Sequence, residues 1–288
     1  MKDLRIGNRI FRWGERTYIM GILNVTPDSF SDGGKYLDPD RAVERALEME
    51  REGADIIDIG GESTRPGSDM ISVDEELRRV RPVLEEVCDK VSIPVSIDTY
   101  KSKVAKVAID LGVDMINDIS ALRFDPDMAD LVREHDLPIV LMHMKGTPKD
   151  MQINPHYDDV VHEIISFLQE RKSFAISKGI DEEKIIVDPG IGFGKRTGRG
   201  IEDNCEIIRR LRELKVLGNP ILIGPSRKTF IGNVCGDGKQ LPVDDRLEGT
   251  LAAVAISVVN GADIVRVHDV REVRRGLRLI DLVVRCQK

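Results

Sequence analysis

The chain has 288 residues, of which 41% are hydrophobic and 32% charged, so it is long enough for one large globular domain or two average ones. Its formal net charge of -7 and pI near 5.4 argue against general binding to nucleic acid or acidic membranes, although a local basic pocket remains compatible with an anionic ligand. The chain has no apolar signal core and no apolar run long enough to cross a bilayer. We therefore expect a cytoplasmic protein without membrane or nucleic-acid partners.

Four cysteines are widely separated and form neither a C-x-x-C motif nor a metal-finger arrangement with histidine. They are Cys88, Cys205, Cys235 and Cys286. Because no cysteine occupies a catalytic or metal-binding motif, we expect reduced thiols with structural roles.

Short apolar runs lie on either side of Gly7 and Asn8 near the N-terminus. Apolar segments joined by a turn that contains glycine are typical of a β-hairpin, and we predict one over about residues 1–16. Because this hairpin precedes the first core strand, it is placed to plug one end of a barrel.

Residues 20–34, MGILNVTPDSFSDGG, start as an apolar strand that stops at Asn24 and continue as a loop of turn-forming residues. The loop contains Asp28, Phe30 and Asp32. Its polar side chains are compatible with a working loop and also with a turn that hydrogen-bonds its own backbone. The rest of the chain decides between these two interpretations.

A glycine that ends a helix and a following aspartate precede a short apolar strand at three places, which indicates a repeated αβ joint. The joints are Gly53-Ala54-Asp55, Gly112-Val113-Asp114 and Gly261-Ala262-Asp263. Further strands are predicted at 93–97, 139–142, 184–187 and 220–223. Helical periodicity predicts amphipathic helices between the strands, for example at 40–52 and 160–168. The long regions 181–204 and 233–248 are predicted to be loops.

The alternation of about eight strands with helices predicts an α/β fold, a TIM (β/α)8 barrel, and a single domain over residues 1–288. A doubly wound open sheet shows the same alternation and is the competing architecture. The evenness of the repeat favours the barrel, as does the polar residue at nearly every strand's carboxyl end.

The carboxyl ends of barrel strands meet on one face, so the polar residues at these ends are predicted to lie together. They are Asn24, Glu62, Ser63, Thr64, Arg65, Asp98, Asn117, Asp118, His143, Asp188, Ser226, Arg227, Lys228, Arg266 and His268. Each one alone is equally well explained as a helix cap. Together they exceed what capping requires, because a packed barrel needs only apolar residues inside.

These side chains fall into two chemical groups. Cationic and hydrogen-bonding residues suit phosphate oxygens and imply a phosphorylated or pyrophosphorylated substrate. They are Arg65, Lys228, Arg266 and His268. The carboxylates and amide of Asp98, Asn117 and Asp188 match the fixed donor and acceptor edge of a planar heterocycle, so one end of the substrate is predicted to be flat and rich in nitrogen.

The glycine-rich segment GIGFG follows Asp188 and Pro189. It fits neither the G-x-G-x-x-G pattern nor the P-loop spacing, and it is therefore a weak dinucleotide signal. Its glycines more simply let the backbone approach a ligand, and Phe193 presents a ring for stacking.

The chain resembles the dihydropteroate synthase family from about Leu4 to the C-terminus. The motifs that carry the resemblance are NVTPDSFSDGG, GGESTRPG, SIDT, NDIS, LMHMKG, DPGIGFGK, GPSRK and RVHDV, all in family order. The resemblance implies a homodimeric TIM-barrel transferase of folate biosynthesis and a target of sulfonamides. Its implied reaction condenses 6-hydroxymethyl-7,8-dihydropterin pyrophosphate with p-aminobenzoate to give 7,8-dihydropteroate and pyrophosphate.

The resemblance also implies roles for individual residues. The pterin would be bound by Asp98, Asn117, Ile119, Met142, Asp188, Phe193, Gly224 and Lys228. The pyrophosphate would be bound by Thr64, Arg65, Arg266 and His268. The p-aminobenzoate would be bound by Phe30, Thr64, Pro66, Phe193 and Ser226. The catalytic residues would be Asp32, Lys228, Arg266 and His268.

The resemblance also implies Mg²⁺ as cofactor, with Asn24 as its protein ligand. One carboxamide from the protein is enough, because this hard cation keeps several waters and shares pyrophosphate oxygens. Departure of pyrophosphate would leave an electron-deficient methylene that the neutral amine attacks, so no nucleophilic serine or cysteine is required. Closure of the loops at 26–34 and 63–67 would exclude water, which otherwise competes as the nucleophile.

Two features are interpreted separately. Residues 196–203 form a basic insertion relative to the family pattern, and we interpret it as a neutral surface insertion, because loops tolerate changes in length. His143 lies at a strand end but is not a principal ligand contact in the resemblance. We interpret it as a satisfied histidine that supports the site from within the core.

Two other functions are compatible with part of this pattern. Corrinoid-dependent methyltransferases that bind methyltetrahydrofolate share the Asp, Asn and Asp recognition set, but they would not need a pyrophosphate clamp. A pterin-binding barrel without turnover is the third possibility. The SRK and RVH motifs favour the synthase over a methyltransferase. The expected residue type at every matched position argues against a barrel without turnover.

Overall fold

The computed structural model describes residues 1–26, 39–65, 67–198 and 202–285. Its strands are β1 (Leu4–Ile6), β2 (Arg9–Phe11), β3 (Tyr18–Asn24), β4 (Ile56–Gly60), β5 (Val95–Asp98), β6 (Met115–Asp118), β7 (Ile139–Met142), β8 (Ile185–Asp188), β9 (Leu222–Ile223) and β10 (Ile264–Val267). Its α-helices are α1 (Pro39–Glu52), α2 (Val73–Lys90), α3 (Ser102–Asp110), α4 (Met128–Glu134), α5 (Val160–Ser177), α6 (Asp203–Arg209), α7 (Thr229–Cys235), α8 (Leu247–Val259) and α9 (Val270–Arg285). Short 3-10 helices lie at Glu182–Lys184, Leu211–Leu217 and Val243–Asp245.

The main sheet contains eight parallel strands in the order β8-β7-β6-β5-β4-β3-β10-β9. Its two edges meet at a parallel bridge between Val187 and Ile221, where the Val187 N–H donates to the Pro220 carbonyl at 3.0 Å. An open doubly wound sheet would leave these edges apart. The predicted TIM barrel is therefore confirmed.

The repeated αβ joint has the same conformation at all three places. Its glycines lie in the left-handed region, which suits a residue without Cβ at the end of a helix. They are Gly53, Gly112 and Gly261, with φ of 102°, 101° and 101°. Each following aspartate accepts a hydrogen bond from a backbone N–H of a neighbouring chain segment. The pairs are Asp55 with Ile19 at 2.9 Å, Asp114 with Val95 at 3.0 Å and Asp263 with Ile221 at 2.9 Å. The joint thus fixes the amino ends of the strands.

The N-terminal hairpin closes the amino end of the barrel. Strands β1 and β2 pair antiparallel with Leu4 opposite Phe11. Their inward side chains form one buried cluster with the lowest inner layer of the barrel. The cluster consists of Leu4, Ile6, Phe11, Tyr18, Met20, Ile56, Met115, Val140, Ile186, Leu222 and Ile264. The predicted hairpin and its role as a plug are both confirmed.

Element boundaries differ from the predictions in several places. The strand predicted at 93–97 runs from Val95 to Asp98, because the turn that ends α2 extends to Pro94. The region 233–248, predicted to be a loop, contains the end of α7, a 3-10 helix and the start of α8. Glycine and proline in this region broke the apolar periodicity on which the prediction depended.

Three of the four cysteines, Cys88, Cys205 and Cys235, are free thiols, and Cys286 lies outside the described residues. None of the helices in the described ranges is long and apolar enough to span a membrane. The assignment of residues 1–288 to a single domain stays a prediction.

Candidate active site

The carboxyl end of the barrel is organised around Arg266, which projects from β10 into the interior. Its Nε donates to Asp58 Oδ2 at 2.6 Å, and its Nη2 donates to Asp98 Oδ2 at 2.7 Å. Because β3 separates β10 from β4, and both β3 and β4 separate it from β5, these bonds must cross the inside of the barrel. Asn117 on β6 also reaches across, donating from Nδ2 to Asp58 Oδ2 at 2.9 Å.

These residues, together with Asp188 and Lys228, are called the carboxyl-end cluster: Asp58, Asp98, Asn117, Asp188, Lys228 and Arg266. The inner face of the barrel is apolar in its lowest layer and charged in this cluster. Ionisable and amide side chains buried together inside a barrel contribute little to packing and are typical of a site that binds a ligand. The sequence placed five of the six members at this end, and the structure brings them together.

Burial changes the ionisation of the cluster. It raises the pKa of Asp98 to about 7, although Arg266 opposes the shift. It raises the pKa of Asp188 to about 6, against the N–H of Gly190, which donates to Asp188 Oδ1 at 2.6 Å. Burial and the neighbouring Arg266 lower the pKa of Lys228 to about 8. Carboxylates with pKa values this high are poised to gain from a ligand that donates hydrogen bonds to them.

An apolar wall borders the cluster. Lys228 Nζ lies 4.2 Å from the centroid of the Phe193 ring, in a cation–π contact. The buried apolar residues around this ring are Tyr100, Ile119, Met142, Met144 and Met151. The glycine-rich segment passes so close to β7 that a Cβ on Gly190 would lie 1.9 Å from the His143 carbonyl oxygen. Glycine is therefore required there because the segment packs closely against the chain's own backbone; the predicted approach of these glycines to a ligand stays a prediction.

His268 and Ser226 form a hydrogen-bonded pair beside Arg266. The Ser226 hydroxyl accepts from the His268 backbone N–H at 3.2 Å and lies 3.0 Å from Nδ1 of the same ring. Burial, Arg227 and Arg266 lower the pKa of His268 to about 3, so the imidazole is neutral near pH 7. A neutral ring whose Nδ1 accepts from the serine hydroxyl carries its proton on Nε2, which is then a donor.

The remaining predicted residues are more peripheral. Thr64 is half-buried and Arg65 is exposed, but Arg65 is close enough to contribute to the lowered pKa of Lys228. Gly224 lies beside Arg266, since a Cβ there would be 3.7 Å from the arginine Cβ. Asn24 is half-buried at the carboxyl end of β3. Asp28, Phe30, Asp32 and Pro66 lie outside the described residues.

Sequence reasoning missed Lys195, which is completely buried behind the glycine-rich segment. Its Nζ donates to the carbonyls of Gly190 and Phe193 at 2.9 and 2.8 Å and lies 3.0 Å from His143 Nδ1. Burial lowers the pKa of Lys195 to about 7. No sequence signal marks a lysine after a glycine loop as buried. His143 is itself buried and contacts this lysine. This agrees with its interpretation as a core histidine that supports the site.

Asp58 was also missed, although a signal was present. It is a carboxylate inside the strand IIDIG, whose residues are all buried. A charged residue in an otherwise apolar, fully buried strand requires a partner in the barrel interior.

The inserted segment is closed at its ends by an ion pair. Arg196 Nη2 lies 2.9 Å from Asp203 Oδ1, and the Arg196 backbone N–H donates to Asp203 Oδ2 at 2.7 Å. Asp203 is buried, whereas Arg196 is partly exposed. Residues 199–201 between them lie outside the described ranges.

A charged surface cleft of about 440 Å³ lies elsewhere, between α1 and α9. It is lined by Glu48, Arg51, Glu52, Arg271, Arg274, Arg275 and Arg278. It contains none of the predicted site residues, and its arginines are partly or fully exposed to solvent, where charge is screened. The carboxyl-end cluster is therefore the stronger candidate site.

A closed parallel barrel with buried acids, a lysine and an arginine at the carboxyl ends of its strands defines an enzyme class that binds a polar small molecule there. The model of the family described as "Pterin binding enzyme" matches residues 20–268. The dihydropteroate synthase of Clostridium beijerinckii is 47% identical over 283 residues, which cover 98% of this chain and 100% of that protein.

Solved structures give the same result. Dihydropteroate synthase from Xanthomonas albilineans with 4-aminobenzoic acid has a TM-score of 0.89 at 44% identity, covering 98% of this chain and 97% of that one. The Yersinia pestis enzyme in a sulfonamide drug complex has a TM-score of 0.89 at 38% identity, covering 98% and 99%. The chain belongs to the pterin binding enzyme family and, within it, to the dihydropteroate synthases, transferases of folate synthesis.

Proposed function

We propose that this chain condenses 6-hydroxymethyl-7,8-dihydropterin pyrophosphate with p-aminobenzoate, forming 7,8-dihydropteroate and pyrophosphate. The observation that carries the proposal is the carboxyl-end cluster, in which hydrogen-bond acceptors for a heterocycle lie next to cations for phosphate. Membership of the dihydropteroate synthases supports the same reaction. The 4-aminobenzoic acid bound to the Xanthomonas albilineans relative supports the second substrate.

The pterin is assigned to the acceptor side of the cluster. Asp98, Asn117 and Asp188 offer oxygens to the N–H groups of the ring, and the ionised carboxylates make stronger hydrogen bonds than neutral groups would. Each bond from the ring offsets part of the burial penalty that raises the pKa values of Asp98 and Asp188. Met142 and Phe193 cover the faces of the ring, with Ile119, Gly224 and Lys228 beside it.

The pyrophosphate is assigned to Arg266, His268, Thr64 and Arg65. Arg266 is held by two carboxylates, so its guanidinium is already oriented before the substrate binds. His268 is held by Ser226, and in the tautomer in which its Nδ1 accepts from the serine hydroxyl it offers Nε2–H to the phosphate. Prepositioned donors of this kind stabilise negative charge that develops on a leaving group. Exposed Arg65 would complete the clamp from the loop after β4.

A magnesium ion at Asn24 is part of the proposal. The amide oxygen is a hard donor of the kind that Mg²⁺ accepts, at the carboxyl end of the barrel. The described ranges contain no group of three or more His, Cys, Asp or Glu residues that could hold a metal. In the proposed site, Asn24 is the one protein ligand, and water and phosphate oxygens complete the coordination of Mg²⁺. When bound, the ion would neutralise charge on the departing pyrophosphate.

The amine step requires no protein nucleophile. The neutral aromatic amine of p-aminobenzoate forms an N–C bond to the methylene carbon, whose C–O bond to pyrophosphate breaks, and the nitrogen then loses one proton to solvent or to the released pyrophosphate. Binding of p-aminobenzoate is assigned to Ser226, Thr64 and Phe193, with Phe30 and Pro66. Lys228 and Asp32 are assigned to the catalytic set with Arg266 and His268. A sulfonamide would compete for the p-aminobenzoate position, as the drug complex of the Yersinia pestis relative suggests.

We further propose a homodimer and a cytoplasmic location. An exposed apolar surface on α9 supports the dimer, because Leu279, Leu282 and Val283 are 67%, 64% and 75% exposed. Ile256 on the adjoining α8 is 51% exposed and extends this surface. Light scattering on a size-exclusion column would give twice the monomer mass for wild type and the monomer mass for Leu282→Glu. A wild-type monomer would contradict the dimer.

The reaction is tested by following pyrophosphate release from the dihydropterin pyrophosphate in the presence of Mg²⁺, with and without p-aminobenzoate. The proposal predicts dihydropteroate and pyrophosphate in equal amounts when both substrates are present. An Mg²⁺ titration of Asn24→Ala should show a higher half-saturating concentration than wild type. Pterin binding without any release of pyrophosphate would overturn the synthase assignment and leave a pterin-binding barrel without turnover.

A further inference from the structure

Asp58 differs from the other acids of the carboxyl-end cluster in its depth. It lies in the middle of β4, its residue is 0% exposed, and it is not at the end of its strand. In the register of the sheet, Asp58 is opposite Ser96. Asp98, two residues further along β5, is opposite Gly60. Asp58 is therefore one layer below Asp98.

One oxygen of Asp58 joins the two halves of the site. Oδ2 accepts from Arg266 Nε at 2.6 Å and from Asn117 Nδ2 at 2.9 Å. Arg266 is assigned to the pyrophosphate and Asn117 to the pterin, so a single buried carboxylate contacts a residue of each half. Its other oxygen, Oδ1, has no hydrogen-bond partner within the described part of the chain.

This contact decides which end of the Asn117 amide faces the ligand. An amide has one end that donates and one that accepts, and the two ends are nearly the same shape. Because the carboxylate of Asp58 can only accept, Nδ2 must face it and Oδ1 must face away from it. In the opposite orientation, the amide oxygen would lie against a buried negative charge. Asn117 is thereby prepared as an acceptor for an N–H group of the ring.

The same carboxylate limits how Arg266 can move. Asp58 holds the Nε side of the guanidinium and Asp98 holds Nη2, so the plane of the group is set by two carboxylates from different strands. A planar guanidinium loses less freedom on binding phosphate when its orientation is fixed beforehand.

We propose that Asp58 is a positioning residue that orients the Asn117 amide towards the pterin and the Arg266 guanidinium towards the pyrophosphate, without touching either substrate. This inference rests on the proposed function. It assigns Asp58 a role in substrate specificity, since a ring that presents an acceptor where Asn117 presents Oδ1 would be rejected.

Asp55 provides a matched control three residues earlier in the same segment. It is also a buried aspartate paired with an arginine, at 2.6 Å from Arg16 Nη2, and unlike Asp58 it accepts a backbone N–H, from Ile19. It lies at the opposite end of the barrel. A purely structural contribution from a buried acid would therefore affect Asp55→Asn and Asp58→Asn alike, whereas positioning affects only the second.

The experiment measures kcat, KM for the dihydropterin pyrophosphate and KM for p-aminobenzoate. The enzymes are wild type, Asp58→Asn, Asn117→Ala, the double variant and Asp55→Asn. We expect Asp58→Asn to raise KM for the pterin substrate about 10- to 100-fold, the effect of losing a hydrogen bond to a charged group. Adding Asn117→Ala should then cost less than it does in wild type, because an amide at position 58 can both donate and accept and no longer fixes which end of the Asn117 amide faces the ligand. Asp55→Asn should keep wild-type KM values.

An unchanged pterin KM in Asp58→Asn, or fully multiplicative effects in the double variant, would overturn the positioning role. If Asp58→Asn does not fold, Asn117→Asp tests the contact from the other side. It keeps an acceptor for the ring but loses the donor to Asp58, so its pterin KM should rise at least 10-fold. A wild-type KM in that variant would contradict the inference. Absence of product from wild type would overturn the proposed function itself, and the inference with it.

Discussion

The aspartates at the two ends of the barrel have different roles. At the amino end, Asp55, Asp114 and Asp263 each accept a backbone N–H of a neighbouring segment, and the hairpin covers the apolar layer beside them. At the carboxyl end, Asp98 and Asp188 are buried with raised pKa values. The aspartates of the amino end hold chain segments together. Asp98 and Asp188 also accept from the chain, from Arg266 and from the Gly190 N–H, but they lie in the cluster that we assign to a ligand.

Removal of Arg266 should produce the largest loss of activity. Arg266→Met leaves two buried carboxylates without their shared cation, and we expect kcat/KM to fall roughly 100- to 1,000-fold. The arginine lowers the pKa of Asp98, so its loss should raise that pKa further. Steady-state kinetics and the carboxyl chemical shift of Asp98 against pH measure the two effects. Activity within a few-fold of wild type would contradict the clamp.

The pH dependence of pterin binding should be the next largest effect. Asp188, with its pKa raised to about 6 by burial, must ionise to accept hydrogen bonds well, so affinity should rise between pH 5 and pH 7. The slope is roughly tenfold per pH unit below the pKa. Calorimetric titration with a pterin that lacks phosphate groups removes the ionisation of the substrate from the measurement. The dependence should be weaker in Asp188→Asn, with the remainder due to Asp98, whose pKa is about 7. An equal slope in the variant would contradict the role of Asp188.

The stability of the enzyme should show a related dependence on pH. The folded-state pKa of Asp98, about 7, is above the unfolded value near 4, so the folded protein holds more protons between these limits. The contribution of this group to stability is therefore full below about pH 4 and is lost as pH rises through 7. Urea unfolding of wild type and Asp98→Asn at several pH values should show less decline over pH 4–7 in the variant. Parallel curves would contradict the raised pKa.

A smaller effect on catalysis is expected from Lys195, which supports the site from behind. Lys195→Met removes donors to two carbonyls of the glycine-rich segment, so Phe193 and Gly190 lose their anchor. We expect KM for the pterin substrate to rise roughly tenfold, the effect of about one hydrogen bond to a charged group. Lys195→Arg serves as a charge-conserving comparison. Unchanged KM in the methionine variant would make this lysine a purely structural residue.

The smallest effect on catalysis is expected at the amino end. Asp263 accepts from Ile221 N–H at 2.9 Å and pairs with Lys215 at 2.6 Å. Asp263→Asn should lower the free energy of unfolding by about 1–3 kcal/mol, because it weakens a buried, charge-assisted network. Its kcat/KM should stay within about twofold of wild type in folded protein. Urea denaturation and steady-state kinetics on the same sample separate the effect on stability from the effect on catalysis. A large fall in kcat/KM would contradict a purely structural role for the amino end of the barrel.

The sequence predicted the elements that depend on periodicity and on local repeats. The Gly-x-Asp joints, the hairpin around Gly7 and the polar strand ends were sufficient to predict the barrel and the place of its site. Contacts between non-adjacent strands were not predictable, since nothing local specifies that Arg266 reaches Asp58 across the interior. For the same reason Lys195 was not recognised, because its burial depends on how the glycine-rich segment folds over it.

In the proposed enzyme, the carboxyl-end cluster performs the reaction and the amino end of the barrel only supports the fold. The most direct test measures the rate of dihydropteroate formation from the dihydropterin pyrophosphate and p-aminobenzoate by wild type, Arg266→Met and Asp263→Asn. We predict product from wild type and Asp263→Asn at similar rates, and a rate roughly 100- to 1,000-fold lower from Arg266→Met. Equal losses in the two variants, or no product from wild type, would contradict the claim.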